Sequence, residues 1–426
     1  MDYLEKILSI VEKQNSWRRY QCLNMVASEN VMSPLAERLY VSDFMGRYNE
    51  HNGESHYQGT KYAMEIEYVV KEIFQKRFNT PYVELRPLSG GIANLIVMRS
   101  LTKIGDVIVS PKLTAGAHVS HTKYGVAGIL GLAEVPMYFD PQDMVVDVDK
   151  TIELINSIKP KLVIFGRSVF IFPEPVKEIR DAVDPKIKII YDAAHVFGLI
   201  WGGKFQKPLL EGADIITTST HKTFPGPQGG AIIARKDLDE ALWRKIERVT
   251  FPGVVYNHHM HRFPALGITA LEMNEYGEAY ASQVIRNAKA LAEELYSLGF
   301  KVLCPHKGFT ESHQVLMDVR EIGGGRIVAK KLEESNIIVT KVALPWDSDK
   351  DATHNPSGIR IGVQELTRWG MKESEMRYIA ELFHKVLHED KNVKEEVTEF
   401  RKEFREIKYC FPVDKYEDRL ARLFRG

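Results

Sequence analysis

Near the middle of the 426-residue chain, a carboxylate and a lysine stand thirty positions apart, each just beyond a short apolar run. Ile189-Ile190-Tyr191 leads into Asp192-Ala193-Ala194-His195, and Ile215-Ile216-Thr217-Thr218 leads into Ser219-Thr220-His221-Lys222-Thr223. A lysine amine condenses with an aldehyde to form an imine, and a carboxylate can hold a heteroaromatic ring nitrogen in its protonated form. Pyridoxal phosphate requires both. The charge on Asp192 favours a pyridinium, whose positive charge stabilises a carbanion at the α-carbon of an amino acid. Either residue alone is weak evidence, because a strand-end aspartate commonly caps a helix and a lone lysine is commonly a solvated surface residue. The spacing across one strand–helix–strand unit gives the pair its weight. A phosphate also needs backbone amides and hydroxyls at a helix start. The run Pro87-Leu88-Ser89-Gly90-Gly91-Ile92-Ala93-Asn94 supplies them, opening an apolar helical pattern, and Thr220 and His221 are further donors beside the lysine.

These groups need a scaffold that brings strand ends together. Residues 106–109, 162–165, 187–191, 214–217 and 230–234 read as buried strands, with helical periodicity at 149–158 and 175–183 between them. Such alternation predicts βαβ units and a mostly parallel sheet covered on both faces. Ligands in such sheets bind beyond the carboxyl ends of the strands, where Asp192 and Lys222 fall. A long helix is expected from Pro264 to about residue 298. Strands at 313–319 and 358–363 and helices at 327–334 and 372–387 then form an α+β pattern. The charge-rich stretch 394–408 reads as a solvated helix. The expected division is an N-terminal helical arm at 1–45, a large cofactor-binding domain at 46–275 and a small C-terminal domain at 276–426.

Lys plus Arg and Asp plus Glu both number 57, so the formal net charge is zero and nothing draws the chain to nucleic acid or an anionic membrane. Cys22, Cys304 and Cys410 are odd in number and far apart, which points to a reducing, cytoplasmic compartment rather than a disulfide framework. Residues 1–20 read as a charged amphipathic helix rather than a signal peptide. No stretch reaches the roughly 18 apolar residues that a membrane span needs.

Seven motifs occur in order: Val26-Ala27-Ser28-Glu29-Asn30, Ser89-Gly90, Gly116-Ala117-His118, Asp192-Ala193-Ala194-His195, Ser219-Thr220-His221-Lys222-Thr223, Gly226-Pro227-Gln228-Gly229-Gly230 and Ser357-Gly358-Ile359-Arg360-Ile361-Gly362. Together they closely resemble serine hydroxymethyltransferase of the archaeal type, from about Gln14 to His388. The resemblance implies a fold type I (aspartate-aminotransferase-like) α/β enzyme. Its large domain is built on a mostly parallel seven-stranded sheet flanked by helices, with a smaller α+β C-terminal domain. It implies a homodimer with shared active sites, working in one-carbon metabolism and glycine biosynthesis. Lys222 then resembles the Schiff-base lysine, Asp192 the pyridinium partner and His118 the residue stacked on the cofactor ring. His195 and Ser168 resemble neighbours of the cofactor's phenolic oxygen, with His221 beside the lysine, and Ser89, Gly90 and Gly91 resemble the phosphate cup. Arg360, with Ser28 beside it, resembles the grip on the substrate carboxylate, a role suited to a guanidinium fork. Tyr48, Glu50 and Tyr57 resemble residues supplied by the partner subunit, with Glu50 the acid/base carboxylate. The loop from Phe251-Pro252-Gly253 resembles the one that approaches the partner's phosphate. The implied reaction converts serine to glycine and hands the hydroxymethyl carbon to a reduced pterin, either tetrahydrofolate or a tetrahydromethanopterin-type carrier.

Two segments depart from the family. Where it usually reads Y-A-E-G-x-P-G-x-R-x-Y, this chain reads Tyr48-Asn49-Glu50-His51-Asn52-Gly53-Glu54-Ser55-His56-Tyr57, one residue shorter and without the proline or the arginine. Thr340-Lys341-Val342 stands where N-K-N is common. Both places are associated with the pterin and the site entrance, so a pterin-independent aldolase or transaldolase acting on β-hydroxy amino acids stays open. So does a degenerate cofactor-binding protein without turnover, against which Lys222, Asp192, Glu50 and Arg360 argue. His258-His259-Met260-His261 lacks a carboxylate or cysteine at ligand spacing, so no metal site is expected. Gly323-Gly324-Gly325 reads as a flexible loop.

Overall fold

The computed structural model describes residues 2–423. It contains two compact units: residues 30–282 with 409–423, and residues 2–29 with 283–408. Residues 2–29 therefore group with 283–408, and residues 409–423 belong to the central unit, whereas the sequence suggested limits at 45/46 and 275/276.

The central unit is built on seven strands: β1 Val83–Glu84, β2 Val107–Ser110, β3 Ala133–Pro136, β4 Leu162–Phe165, β5 Lys188–Asp192, β6 Ile215–Ser219 and β7 Gly230–Ala234. Their order is β1-β7-β6-β5-β4-β2-β3. β7 is antiparallel to both neighbours, and the other pairings are parallel. The expected mostly parallel seven-stranded sheet is present. Every residue of β4, β6 and β7 is buried, as strands covered on both faces must be, and this explains why they read as continuous apolar runs. The two-residue edge strand β1 and the partly exposed edge strand β3 left no such run.

Helix α1, Lys61–Phe78, precedes the sheet, and α2, Gly90–Leu101, packs its Ala93, Ile96, Val97 and Leu101 into a core with Ile108, Leu162, Ile164, Ile190, Ile215 and Ile232. Burying each of the larger aliphatic side chains contributes about 1.5–3 kcal/mol, so the start of α2 is fixed against the strand ends by its own apolar face. Helix α3, Arg262–Ser297, is the long helix expected after Pro264.

The other unit holds an antiparallel sheet of β8 Lys301–Val302, β9 Gln314–Asp318, β10 Thr340–Val342 and β11 Gly358–Gly362, in the order β8-β9-β11-β10. Helices Gly325–Glu334 and Glu373–Leu387 supply its α part. Gly323-Gly324-Gly325, read as a loop, leads directly into the first of these. The expected solvated helix over 394–408 stops at Phe400. There Arg401 is fully buried, donating to the Phe404 and Arg19 carbonyls and lying 5.0 Å from the Trp369 ring. A cation in a charge-rich run looked solvated, but aromatic stacking and carbonyl acceptors compensate its burial.

Candidate active site

Three adjacent parallel strands, β4, β5 and β6, end along one edge of the sheet, at Phe165, Asp192 and Ser219. Asp192 is buried, and its carboxylate accepts from Asn94 Nδ2 at 2.8 Å, His121 Nε2 at 3.0 Å and the Ala194 amide at 3.0 Å. Burial alone pushes a carboxyl upward, yet the hydrogen bond and charge of His121, the charge of His118 and the Asn94 bond hold Asp192 well below its ordinary range. It is a fixed negative charge inside the protein.

The network extends outward from there. Thr217 on β6 donates to Asn94 Oδ1 at 2.6 Å, and Asn94 Nδ2 also reaches Ser120 Oγ at 2.9 Å. His118 Nδ1 lies 2.7 Å from Ser120 Oγ, which ties the expected ring-stacking histidine to the expected pyridinium partner. Asn94 stands in the run read as a phosphate turn, but its role as the hub was not legible. Nor was His121, whose only sequence signal is its position three residues after His118.

Lys222 is 9 % exposed. Its carbonyl accepts from Asn30 Nδ2 at 2.6 Å, and Thr223 Oγ1 donates to the His195 carbonyl at 2.8 Å, so the backbone on both sides of the lysine is pinned. His195 is buried. His221 is half-buried, and desolvation together with the Lys222 charge brings it down to about 4, so its imidazole is neutral at pH 7. Thr220, considered as a cofactor donor, instead gives its hydroxyl proton to the Pro227 carbonyl at 2.7 Å.

Ser89 caps α2, its Oγ accepting from the Ile92 amide at 3.2 Å, which leaves Gly90 and Gly91 as the first residues of the helix. A Cβ on Gly90 would lie 2.6 Å from Ser219 Oγ, so only glycine lets the helix start approach the end of β6 this closely. Gly116 adopts φ +88, and a Cβ there would meet the Val169 side chain at 2.5 Å; its carbonyl accepts from the Ser168 amide at 2.7 Å. That turn places Ser168 beside the 116–118 segment. Fixed carboxylate, buried lysine, half-buried histidine and a glycine-opened helix N-terminus therefore converge at one sheet edge, and this donor set fits pyridoxal phosphate.

Tyr48, Glu50 and Tyr57 form a separate cluster. Their aromatic rings are 5.4 Å apart, and the Tyr57 hydroxyl lies 3.4 Å from Glu50 Oε2, whose charge raises the phenol above its usual value. Gly253 is exposed, after Phe251-Pro252. In the other unit, Arg360 is buried on β11, and burial brings its guanidinium down to about 10. Gln364 Nε2 donates to the carbonyls of Val26 and Glu29 at 2.8 and 2.7 Å, holding the turn that bears Ser28 next to the end of that strand. His258 turns inward to Glu67 while His261 packs edge-on against Tyr40, and among the described residues no group of three or more His, Cys, Asp or Glu side chains is placed for a metal ion.

The family model for serine hydroxymethyltransferase matches residues 2–383. The chain belongs to the serine hydroxymethyltransferase family. Relatives carrying that name include proteins of Sulfolobus acidocaldarius, 52% identical with 99% of this chain and 98% of the relative covered, and Metallosphaera sedula, 50% identical with 98% and 97% covered. A third, from Saccharolobus solfataricus, is 53% identical over 92% of this chain and 90% of its own. Among solved structures, the L-threonine transaldolase of Pseudomonas fluorescens superposes with a TM-score of 0.89 at 27% identity, covering 100% of this chain and 97% of that one. Membership in this family accounts for why the strand-end aspartate and lysine were recognisable together. No helix among the described residues is long and apolar enough to cross a membrane, and Cys22, Cys304 and Cys410 are not joined by disulfides.

Proposed function

We propose that this chain interconverts serine and glycine using pyridoxal phosphate held by Lys222, and passes the hydroxymethyl carbon to a reduced pterin of the tetrahydrofolate or tetrahydromethanopterin type. The observation that carries the reading is Asp192, a buried carboxylate kept charged by His121 and Asn94 at the end of the strand next to the one that leads to Lys222. When bound, the cofactor provides an electron sink for the pair released as a bond to the substrate α-carbon breaks.

The chain's own residues do the rest. Asp192 would pair with the ring nitrogen and keep it protonated. Ser89 and the amides of Gly90 and Gly91 hold the phosphate at the positive end of the α2 dipole. His118 would stack on the ring, His195 and Ser168 would serve its phenolic oxygen, and His221 would be a further donor beside Lys222. Arg360, with Ser28 beside it, grips the substrate carboxylate through its planar fork. Glu50 takes the proton from the substrate hydroxyl, with Tyr57 against it. Tyr48, Glu50, Tyr57 and Gly253 act in the site of a second copy of the chain, in a cytoplasmic homodimer.

The test is serine-to-glycine conversion by the purified holoenzyme with no carrier, with tetrahydrofolate, and with a tetrahydromethanopterin-type carrier. Glycine is expected with at least one reduced pterin and at a far lower rate without any. Faster cleavage of threonine than of serine, independent of pterin, would move the assignment towards an aldolase or transaldolase acting on β-hydroxy amino acids; the structural relative is named an L-threonine transaldolase. A cofactor-loaded protein that turns over none of these amino acids would be a binding protein only.

A further inference from the structure

Helix α1 buries Ala63, Glu67, Val70 and Phe74, so a carboxylate occupies one position of an otherwise apolar stripe. An unpaired charge there would cost several kcal/mol, so its partners identify what the site is built to hold. Glu67 Oε2 accepts from His258 Nε2 at 2.8 Å and from Asn49 Nδ2 at 3.0 Å, and Glu67 Oε1 from His51 Nε2 at 3.1 Å. Asn49 and His51 are the residues on either side of Glu50. Both are buried, whereas Tyr48 and Asn52 are exposed and Glu50 is half-buried. In extended backbone, neighbouring side chains point to opposite sides. Pinning 49 and 51 to one acceptor therefore turns Glu50 the other way, towards Tyr57.

The backbone is held at the same place: the Glu50 carbonyl accepts from the His56 amide at 3.0 Å and the His51 carbonyl from Arg86 Nη1 at 3.1 Å. Packing does less of this work. A cavity of about 410 Å³ lies against His51, Asn52 and Gly53, with Glu67, Arg86 and Phe251 on its walls, so hydrogen bonds rather than close contact fix the segment on that side. Both histidines come from segments that stood out in the sequence, the shortened run after Tyr48 and the 258–261 cluster.

We propose that Glu67 is a positioning residue for Glu50: by clamping Asn49 and His51, with His258 as the third donor, it sets the direction of the Glu50 carboxylate. The proposal rests on the reading of Glu50 as the proton-handling group. Charge on Glu67 matters as well as shape, because a glutamine would present an amide N–H to a ring nitrogen that now donates.

The experiment is a double-mutant cycle on the holoenzyme, measuring kcat and KM for serine cleavage in wild type, Glu50→Gln, Glu67→Gln and the double variant. A misplaced reacting group costs up to about 100-fold, so Glu67→Gln is expected to lower kcat about 10- to 100-fold while leaving the serine KM within about threefold. Acting through Glu50, it should change kcat by no more than about twofold once Glu50 is already glutamine. Losses that multiply in the double variant, or a wild-type kcat in Glu67→Gln, overturn the proposal. If Glu67→Gln does not fold, Asn49→Ser removes one donor to the same carboxylate, and the same cycle with Glu50→Gln decides. If Glu50→Gln alone leaves kcat unchanged, the Glu50 reading fails first and the proposal falls with it; if only the Glu67 arm is silent, positioning alone fails.

Discussion

Asp192 and Glu67 are buried carboxylates in the same compact unit, and both keep their charge against the cost of burial, yet they hold segments of opposite character. Asp192 ends a central strand and is met by Asn94 from α2, both elements packed by a large aliphatic core, with His121 joining from a short turn. Glu67 faces the irregular 49–57 segment, which has a cavity beside it and exposed Tyr48 and Tyr57 beyond. The difference separates two tasks. Groups that hold a cofactor are best fixed by secondary structure, whereas a proton-handling residue on an irregular segment needs a dedicated hydrogen-bonded anchor.

Substitutions can break each half of that contrast. Lys222→Ala should cost on the order of 10⁴-fold or more in serine cleavage, with loss of the lysine-bound cofactor's absorbance, as expected for a covalent attachment point. Asp192→Asn should keep the cofactor on Lys222 but lower kcat by about 10²–10³-fold, the scale for removing one preorganised electrostatic partner. A variant that lost cofactor and activity in parallel would make Asp192 a binding group instead.

Stability sharpens the comparison further. Burial opposes the charge on Glu67, but the bonds and charges of His258 and His51 outweigh it and hold the carboxyl below its usual range. A depressed folded-state value means that the charge contributes stability fully above the unfolded value of about 4, and loses that contribution as pH falls through the lowered value. Glu67→Gln should therefore be about 1.5–3 kcal/mol less stable in denaturant at pH 7, with the gap narrowing as the pH drops below about 4. A gap that stays constant down to pH 2 would show that the loss comes from shape alone. The smallest expected effect is at Gly90. Gly90→Ala must displace Ser219, costing about 1–3 kcal/mol, and should weaken cofactor retention more than kcat measured at saturating cofactor.

The legibility of these parts follows from the same physics. β4 to β7 could be read because burial on both faces leaves continuous apolar runs, and Asp192 and Lys222 because they interrupt such runs at their ends. β1 has only two residues, and β3, as long as β4, is an edge strand that is not buried on both faces and so leaves no apolar run. Asn94 and His121 were silent because an asparagine in a helix and a histidine in a loop gain meaning only from what they touch. Arg401 misled for the opposite reason: its charged neighbours suggested solvent, while the Trp369 ring and the Arg19 carbonyl that receive it lie far away in sequence. In the 48–57 segment the departure from the family was visible, but its consequence, His51 turned inward to Glu67, was not.

The central claim is that the cofactor is carried on Lys222 at the strand ends ordered by Asp192. Its most direct test is borohydride reduction of the holoenzyme, which fixes a lysine-bound pyridoxal group, followed by peptide mapping. The account predicts one tagged peptide, containing Lys222, and no tag in Lys222→Ala. A tag on another lysine in the wild-type enzyme, or undiminished tagging together with serine cleavage in Lys222→Ala, would contradict it.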